Sequence, residues 1–267
     1  MIRLIATDLD GTLLEPDGKL PEGIFETVKQ LTEMGICFAA CSGRQYGNLE
    51  RLFAPVADQM AFVCENGALS VVDGAIAGLI SIEEETAREV IHDIEQSGMN
   101  LLISGKHTVY MRDLNRKYTD DIVYRLRNTT TIISEWDQIT EPMLKISGQI
   151  DEGLAEIAPR FLEKWSGKLT ATVAGADWFD FTAANKGMAL CSLMKHLGIQ
   201  KEEAAAFGDN FNDETMLDLV GYPFIMKTAH PDLHKSHYNV CTKVLPVLRH
   251  IVQAKGDWSK VPQIINE

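Results

Sequence analysis

Five groups of side chains carry the chemistry. Asp8 and Asp10 stand two residues apart in "IATDLDGTLL", followed at once by Gly11 and Thr12. Ser42, Gly43 and Arg44 follow the apolar run "ICFAAC", and Glu65, Asn66 and Gly67 follow "MAFVC". Lys186 opens a helix-like segment, and Asp209, Asn210, Asn212 and Asp213 follow "EAAAF". Carboxylates gathered in one place repel one another unless a cation joins them, and an oxygen-only acidic set suits Mg²⁺. A bound Mg²⁺ asks for a further anion, and phosphate fits, with Lys186 and Ser42 supplying a charge and a donor. Phosphate monoesters are very slow to hydrolyse. A metal clamp, a nucleophile such as an aspartate and an acid/base group together answer that difficulty.

The elements that would bring these groups together are legible in the apolar pattern. Ile2–Thr7 reads as a buried strand. The segment "PEGIFETVKQLTEMG" places Ile24, Val28, Leu31 and Met34 at helical spacing, with Pro21 near its start and Gly35 past its end. Two further strands, "ICFAAC" and "MAFVC", enclose the short helix "NLERLFA". Strand–helix–strand–helix–strand predicts a parallel sheet with helices on its faces, and ligands bind outside the carboxyl ends of such strands. "GALSVVDGAIAGLISI" reads as a hairpin turning at Asp73-Gly74.

The order changes between residues 83 and 183. The helix "EEETAREVIHDIEQSG", with Glu83–Glu85 in its first turn, precedes a strand pair in "NLLISGKHTVYMRD" and then a polar stretch. "MLKISGQI" is strand-like, and "DEGLAEIAPRFLEKWSG" is a helix that Pro159 is expected to kink or split. "LTATVAGADWFDFT" reads as two strands turning at Gly175-Ala176, with Trp178 and Phe179 in the core. This is a compact α+β unit of its own. The first pattern then returns: helix "KGMALCSLMKHLG", strand "EAAAFGD", helix "NDETMLDLVG", strand "YPFIM", a short helix "HPDLHKS" and a last helix "VLPVLRHIVQA". His230, His234 and His237 read as a solvated face rather than a metal site, because no acid or Cys joins them in a ligand pattern. One α/β domain, residues 1–82 and 184–267, is therefore interrupted by another at 83–183.

The chain has 267 residues, 45% of them hydrophobic, enough for a sizeable core. Its net charge of −13 argues against broad binding to nucleic acid or anionic lipid. The five cysteines form no CxxC pair, which points to a reduced, cytoplasmic protein. Only four residues separate Arg3 from the first acid, too few for a signal peptide's apolar region. The longest apolar segment is broken at Asp73-Gly74 and too short to span a bilayer.

"DLDGT" at residues 8–12, "SGR" at 42–44, "NKG" at 185–187 and "GDNFND" at 208–213 resemble, in order and spacing, the four motifs of the haloacid dehalogenase (HAD) superfamily of phosphatases. The insert and "ENGA" at 65–68 resemble its Cof-type branch, class IIB. The resemblance covers essentially the whole chain. It implies a Rossmann-like parallel sheet core with an inserted α+β cap, and hydrolysis of small phosphorylated metabolites through an aspartyl-phosphate. Sugar phosphates, phosphorylated cofactors and nucleotides are the substrate classes. Asp8 would be the nucleophile and Asp10 the acid/base. Asp8, Asp10 (through its backbone carbonyl), Asp209 and Asp213 would hold Mg²⁺. Lys186 would pair with Asp8 and, with Leu9, Ser42, Gly43, Arg44 and Asn212, form the phosphate site. Thr12 would orient its neighbours. If extended geometry persists past Thr7, the two-residue period sends Asp8 and Asp10 to one face.

The chain departs from the Cof-type pattern at Met226-Lys227-Thr228-Ala229, where Met-Gly-Asn-Ala is common. Lys227 brings a positive charge that an anionic substrate would meet. The partners expected are a small phosphorylated metabolite, neither nucleic acid nor membrane, in a monomer or homodimer. A phosphotransferase or mutase of the same chemistry is the enzymatic alternative. A non-catalytic sensor of a phosphorylated ligand, or a phospho-acceptor regulator, is the other. A phospho-acceptor regulator has no use for an acid/base two residues after the phosphorylated aspartate, or for an insert of this size.

Overall fold

The computed structural model describes residues 1–260 and divides them into two compact units. The first comprises residues 1–44 and 49–78 and everything described from Lys186 onward; the second comprises 45–48 and 79–185. The second unit thus begins four residues before the expected 83 and takes in residues 45–48 as well.

The first unit opens with β1 (Leu4–Thr7), α1 (Ile24–Glu33), β2 (Cys37–Cys41), α2 (Tyr46–Leu52) and β3 (Met60–Cys64). β4 (Leu69–Val72) and β5 (Ala75–Leu79) follow as the expected hairpin, with φ of 49° at Asp73 and 71° at Gly74. Two successive positive φ values match the right-handed twist of paired strands. The second unit contains α3 (Glu84–Gln96), β6 (Asn100–Ser104), β7 (Val109–Met111), α4 (Arg116–Asp120), β8 (Thr130–Ile132), β9 (Lys145–Gln149), α5 (Leu154–Trp165), β10 (Thr170–Ala174) and β11 (Trp178–Thr182). The chain then returns to the first unit as α6 (Lys186–Leu197), β12 (Ala204–Gly208), α7 (Glu214–Leu217), β13 (Tyr222–Met226), β14 (Asn239–Cys241) and α8 (Val244–Gln253).

The first sheet runs β14-β13-β12-β1-β2-β3-β4-β5 and is parallel from β14 to β3. Its central strands are buried on both faces, so β1, β3 and β12 are continuous apolar runs rather than alternating ones. The core on one face joins Ala6, Ala39 and Ala206 of the sheet to Leu190, Leu193 and Met194 of α6. The second sheet, β10-β11-β9-β6-β7-β8, is antiparallel except between β7 and β8. Ile94, Ile146, Phe161, Trp165, Phe179 and Phe181 pack together on one of its faces. Phe161 meets both Phe179 and Phe181 at 5.4 Å between ring centres, nearly edge to face. Such aromatic pairs contribute about 0.5–1.5 kcal/mol each beyond the area they bury.

Three expectations need correction. Pro159 does not split its helix: α5 continues from Leu154 to Trp165. The polar stretch after Met111 contains α4 and the strand β8, whose short runs carry too little apolar pattern to be read. Only one helical turn, α7, forms in "NDETMLDLVG", and the short segment at Pro231–Leu233 is a 3₁₀ turn. Trp178 and Phe179 both pack in the second unit, on opposite faces of the strand: Phe179 lies with Phe181, while half-buried Trp178 packs against a second cluster and faces Tyr118 at 6.0 Å. Among the described residues no helix is long and apolar enough to cross a membrane.

Candidate active site

The ladder of β1 ends at Thr7, but the Asp8 N–H still donates to the Phe207 carbonyl of β12 at 2.9 Å. Asp8 is therefore held as a continuation of the strand and buried at its end, 7% exposed. Beyond it, residues 9–13 coil into a tight turn closed by Leu14 N–H donating to the Leu9 carbonyl at 2.9 Å. Strand geometry thus does not persist through Asp10. Gly11 has φ of +89°, and a side chain there would strike the Asp209 carboxylate. Glycine is needed both for the conformation and for the space. The next residue, Thr12, donates to Asp209 Oδ1 at 3.0 Å.

Lys186 is the first residue of α6 and only 1% exposed. A cation at a helix N-terminus opposes the helix dipole. Here its ammonium lies 2.6 Å from Asp8 Oδ1 and 2.5 Å from Asp213 Oδ1, which offsets that disadvantage. Asp213, fully buried, also accepts at Oδ2 from the N–H groups of Asp209 and Asn210, both at 3.0 Å. Asp213 thus shapes the loop carrying Asp209 while it anchors Lys186.

Carboxylate oxygens of Asp8, Asp209 and Asp213 can all lie within 4.8 Å of one another. Three acids face one amine. Burial, helped by Asp213 and Asp209, pushes the Asp8 carboxyl up to about 7 against the pull of Lys186. Burial and the nearby Asp213 also raise Asp209, with the Thr12 hydroxyl opposing. For Lys186, burial alone would lower the pKa, but Asp213 and Asp8 outweigh it and keep the amine protonated. An over-acidic, oxygen-only donor set suits a hard divalent cation such as Mg²⁺.

Asp10 is placed differently. Its carboxylate is exposed and lies outside that trio; Arg44 donates to it through Nη2 at 2.5 Å and Nε at 3.1 Å. Any part for Asp10 in holding a metal thus falls to its backbone. Arg44, expected on phosphate, has a carboxylate partner that a separation of 34 residues conceals in the sequence. Ser42 is buried, and its Oγ accepts from Arg44 N–H at 3.3 Å. Leu9 is buried, while Gly43 and Asn212 are half-buried. Burial pushes the Cys41 thiol up to about 12, so it offers no thiolate. Glu65–Gly67, which also follow a strand at the sheet rim, are bonded through their backbone to the loop at 42–44. A separate cavity of about 600 Å³ within the second unit is lined by Glu83, Arg88, Glu95, Trp136 and Glu141 and contains none of these groups.

Comparison with known proteins identifies the family. The family of haloacid dehalogenase-like hydrolases matches residues 5–244. A 5-amino-6-(5-phospho-D-ribitylamino)uracil phosphatase of Escherichia coli strain K12 is 28% identical over 237 residues, covering 85% of this chain and 86% of its own. An HMP-PP phosphatase of an Enterobacter species is 26% identical over 262 residues, 94% of this chain and 91% of its own. Among solved structures, a haloacid dehalogenase-like hydrolase of B. subtilis superposes with a TM-score of 0.79 at 22% identity, covering 94% of this chain and 99% of that one. A HAD subclass IIB sugar phosphatase gives a TM-score of 0.77 at 19% identity, covering 97% and 100%. At those identities the structural likeness speaks for the fold, a parallel core with its inserted cap. With the family matched across most of its length, the chain belongs to the haloacid dehalogenase-like hydrolases.

Proposed function

We propose that this protein is a Mg²⁺-dependent phosphatase of small phosphorylated metabolites, working through an aspartyl-phosphate on Asp8. The observation that carries the reading is the buried Lys186, shared between Asp8 and Asp213 with Asp209 in reach of both acids. A structural ion pair needs one acid per amine. An excess of buried acid is a standing demand for a cation.

In this reading Asp8, Asp209, the Asp10 carbonyl and Asp213, directly or through water, hold Mg²⁺, residues 1–82 and 184–267 form the catalytic core, and 83–183 form the cap. When bound, the ion neutralises the approaching phosphoryl oxygens. An Asp8 carboxylate oxygen forms a bond to phosphorus as the bond to the leaving oxygen breaks. The Asp10 proton passes to that oxygen. Water then attacks the aspartyl-phosphate, Asp10 takes the water's proton, and Asp8 is restored as inorganic phosphate leaves. Lys186 holds Asp8 and meets the phosphoryl charge, and Ser42, Gly43, the Leu9 backbone and Asn212 bind the remaining oxygens. The names of the E. coli and Enterobacter relatives favour substrates whose phosphate is carried by a small polar or heterocyclic group.

Hydrolysis of p-nitrophenyl phosphate by pure protein, with Mg²⁺ and with EDTA, tests the reading beside Asp8→Asn. Mg²⁺-dependent release abolished by the substitution is expected. Release that survives Asp8→Asn removes the aspartyl-phosphate. No release from this or from a panel of sugar, nucleotide and cofactor phosphates removes the phosphatase.

A further inference from the structure

The cavity of about 600 Å³ within the second unit is a groove between two walls. One wall is a single stripe of α3, where Glu84, Arg88, Ile91, His92 and Glu95 recur at helical spacing. The other is the segment from Trp136 to Met143, which runs back alongside the helix. Two bonds fix that direction. The Trp136 indole N–H donates to Glu95 Oε1 at 2.8 Å, and the Ile82 N–H, just before the helix, donates to the Met143 carbonyl at 2.8 Å. At about 1.5 Å of rise per residue, the helix from Glu84 to Glu95 gives the groove a length of about 16 Å.

Acids stand at both ends, exposed Glu83 and Glu84 at one and Glu95 at the other, and half-buried Glu141 comes from the facing wall. Between them the surface is apolar, with Ile82 and Ile91 belonging to the core beneath. Part of the acid is already answered. Arg88 binds Glu84 at 2.8 Å, and His107 meets Glu141 through its N–H at 3.0 Å and its ring at 2.9 Å. Arg112, just past β7, binds Glu95 and lays its guanidinium 4.5 Å from the centre of the Trp136 ring. Four carboxylates still face only two guanidiniums. Arg112 also shows the chemistry this edge of the groove favours, an organic cation shared by a carboxylate and an indole face.

A metal ion does not match this pattern, because an ion draws its ligands to one point and these acids are spread along a helix. Acids strung along an apolar channel match a cation that is itself extended, with charged nitrogens joined by methylene runs. We propose that the groove is a binding site for a linear aliphatic polyamine, its ammonium groups on Glu83, Glu141 and Glu95 and its methylenes along Ile82, Ile91 and Ile139. A cavity of this size takes a small molecule rather than a folded partner. The acids are largely exposed, so the attraction weakens as salt is added. None of Asp8, Lys186, Asp209 and Asp213 lines the groove, and the proposal stands independently of phosphate ester hydrolysis.

Calorimetric titration of spermidine into the full chain at low ionic strength, with Mg²⁺ present throughout to occupy the Asp8 cluster, tests the proposal. One site per chain is expected. Glu83→Gln, whose side chain caps no helix N–H, should raise Kd about threefold, and Glu83→Gln combined with Glu141→Gln about tenfold. Glu83→Lys should raise it more than Glu83→Gln and serves if the double variant fails to fold. Glu26→Gln, on α1 of the first unit, should leave Kd unchanged. Butylamine, with one ammonium, should bind at least about tenfold more weakly than spermidine. No saturable binding below about 1 mM, several weak sites common to every variant, or a Kd that neither substitution at Glu83 alters overturns the proposal. Equal affinity for butylamine overturns it as well, since the groove would then be a general cation surface.

Discussion

Two buried aspartates, one in each unit, meet a lysine in opposite ways. Asp93 on α3 binds Lys164 Nζ at 2.7 Å and the indole N–H of Trp165 at 3.1 Å, both from α5. One acid faces one amine there, the lysine side chain remains 41% exposed, and the pair ties two helices together. Asp8 meets a lysine that is 1% exposed and already committed to Asp213, with Asp209 beside them. The first arrangement completes itself. The second sets two buried acids and a half-buried one against one amine, an imbalance that the proposed Mg²⁺ would offset. Burial of charge is common to both; imbalance separates a site from a staple.

Substitution of the two aspartates should break the comparison most sharply. Asp8→Asn is expected to lower kcat by at least about 10³-fold in a folded protein, because no other nucleophile is placed to replace it. Asp93→Asn is expected to leave kcat within about threefold and to lower the thermal midpoint, at a typical destabilisation of about 0.5–3 kcal/mol. Comparable activity losses from the two would show that charge balance carries no functional information here.

The lysines give the next largest contrast. Lys186→Met leaves two buried acids without their cation, a change of about 3–5 kcal/mol in denaturant unfolding without Mg²⁺, and activity should vanish with it. Lys164→Met removes a partner that solvent already screens, so about 0–1 kcal/mol is expected.

Titration sharpens the same point. The Asp8 carboxyl is raised from 3.8 to about 7, so between these values the folded state holds more protons than the unfolded state. In EDTA this group makes the protein less stable as pH rises from 4 to 7, and the thermal midpoint should fall less steeply in Asp8→Asn than in wild type. Mg²⁺ competes with those protons, so it should raise the midpoint more at pH 8 than at pH 5. Asp209→Asn should lose that increment, while Asp93→Asn keeps it. The smallest effect belongs to exposed Lys227: Lys227→Ala should raise KM more than it lowers kcat, and an unchanged KM would remove it from substrate binding.

Much of this was legible before any coordinates. Asp8, Lys186, Asp209 and Asp213 were selected because each follows a strand or opens a helix at the sheet rim, and the structure gathers all four. Long apolar elements such as α1, α3 and α6 were readable from their period. The strands β8 and β14 span only three residues each, too short to carry a period, and were missed. Pro159 does not split α5: local sequence registers the lost hydrogen bond, while Leu154 and Ala158 before it and Phe161 and Trp165 after it pack in one core.

The sequence by itself determined the order of elements, the chemistry of the motif residues and their membership in a family, because side-chain type, periodicity and spacing are local properties. Tertiary structure decided how those residues divide their labour. It put Lys186 between Asp8 and Asp213 rather than in solvent, turned Asp10 out to Arg44, and set a left-handed turn behind the loop at 42–44. These pairings join residues tens to hundreds of positions apart. Their energies depend on distance and burial, which exist only once the chain has closed on itself.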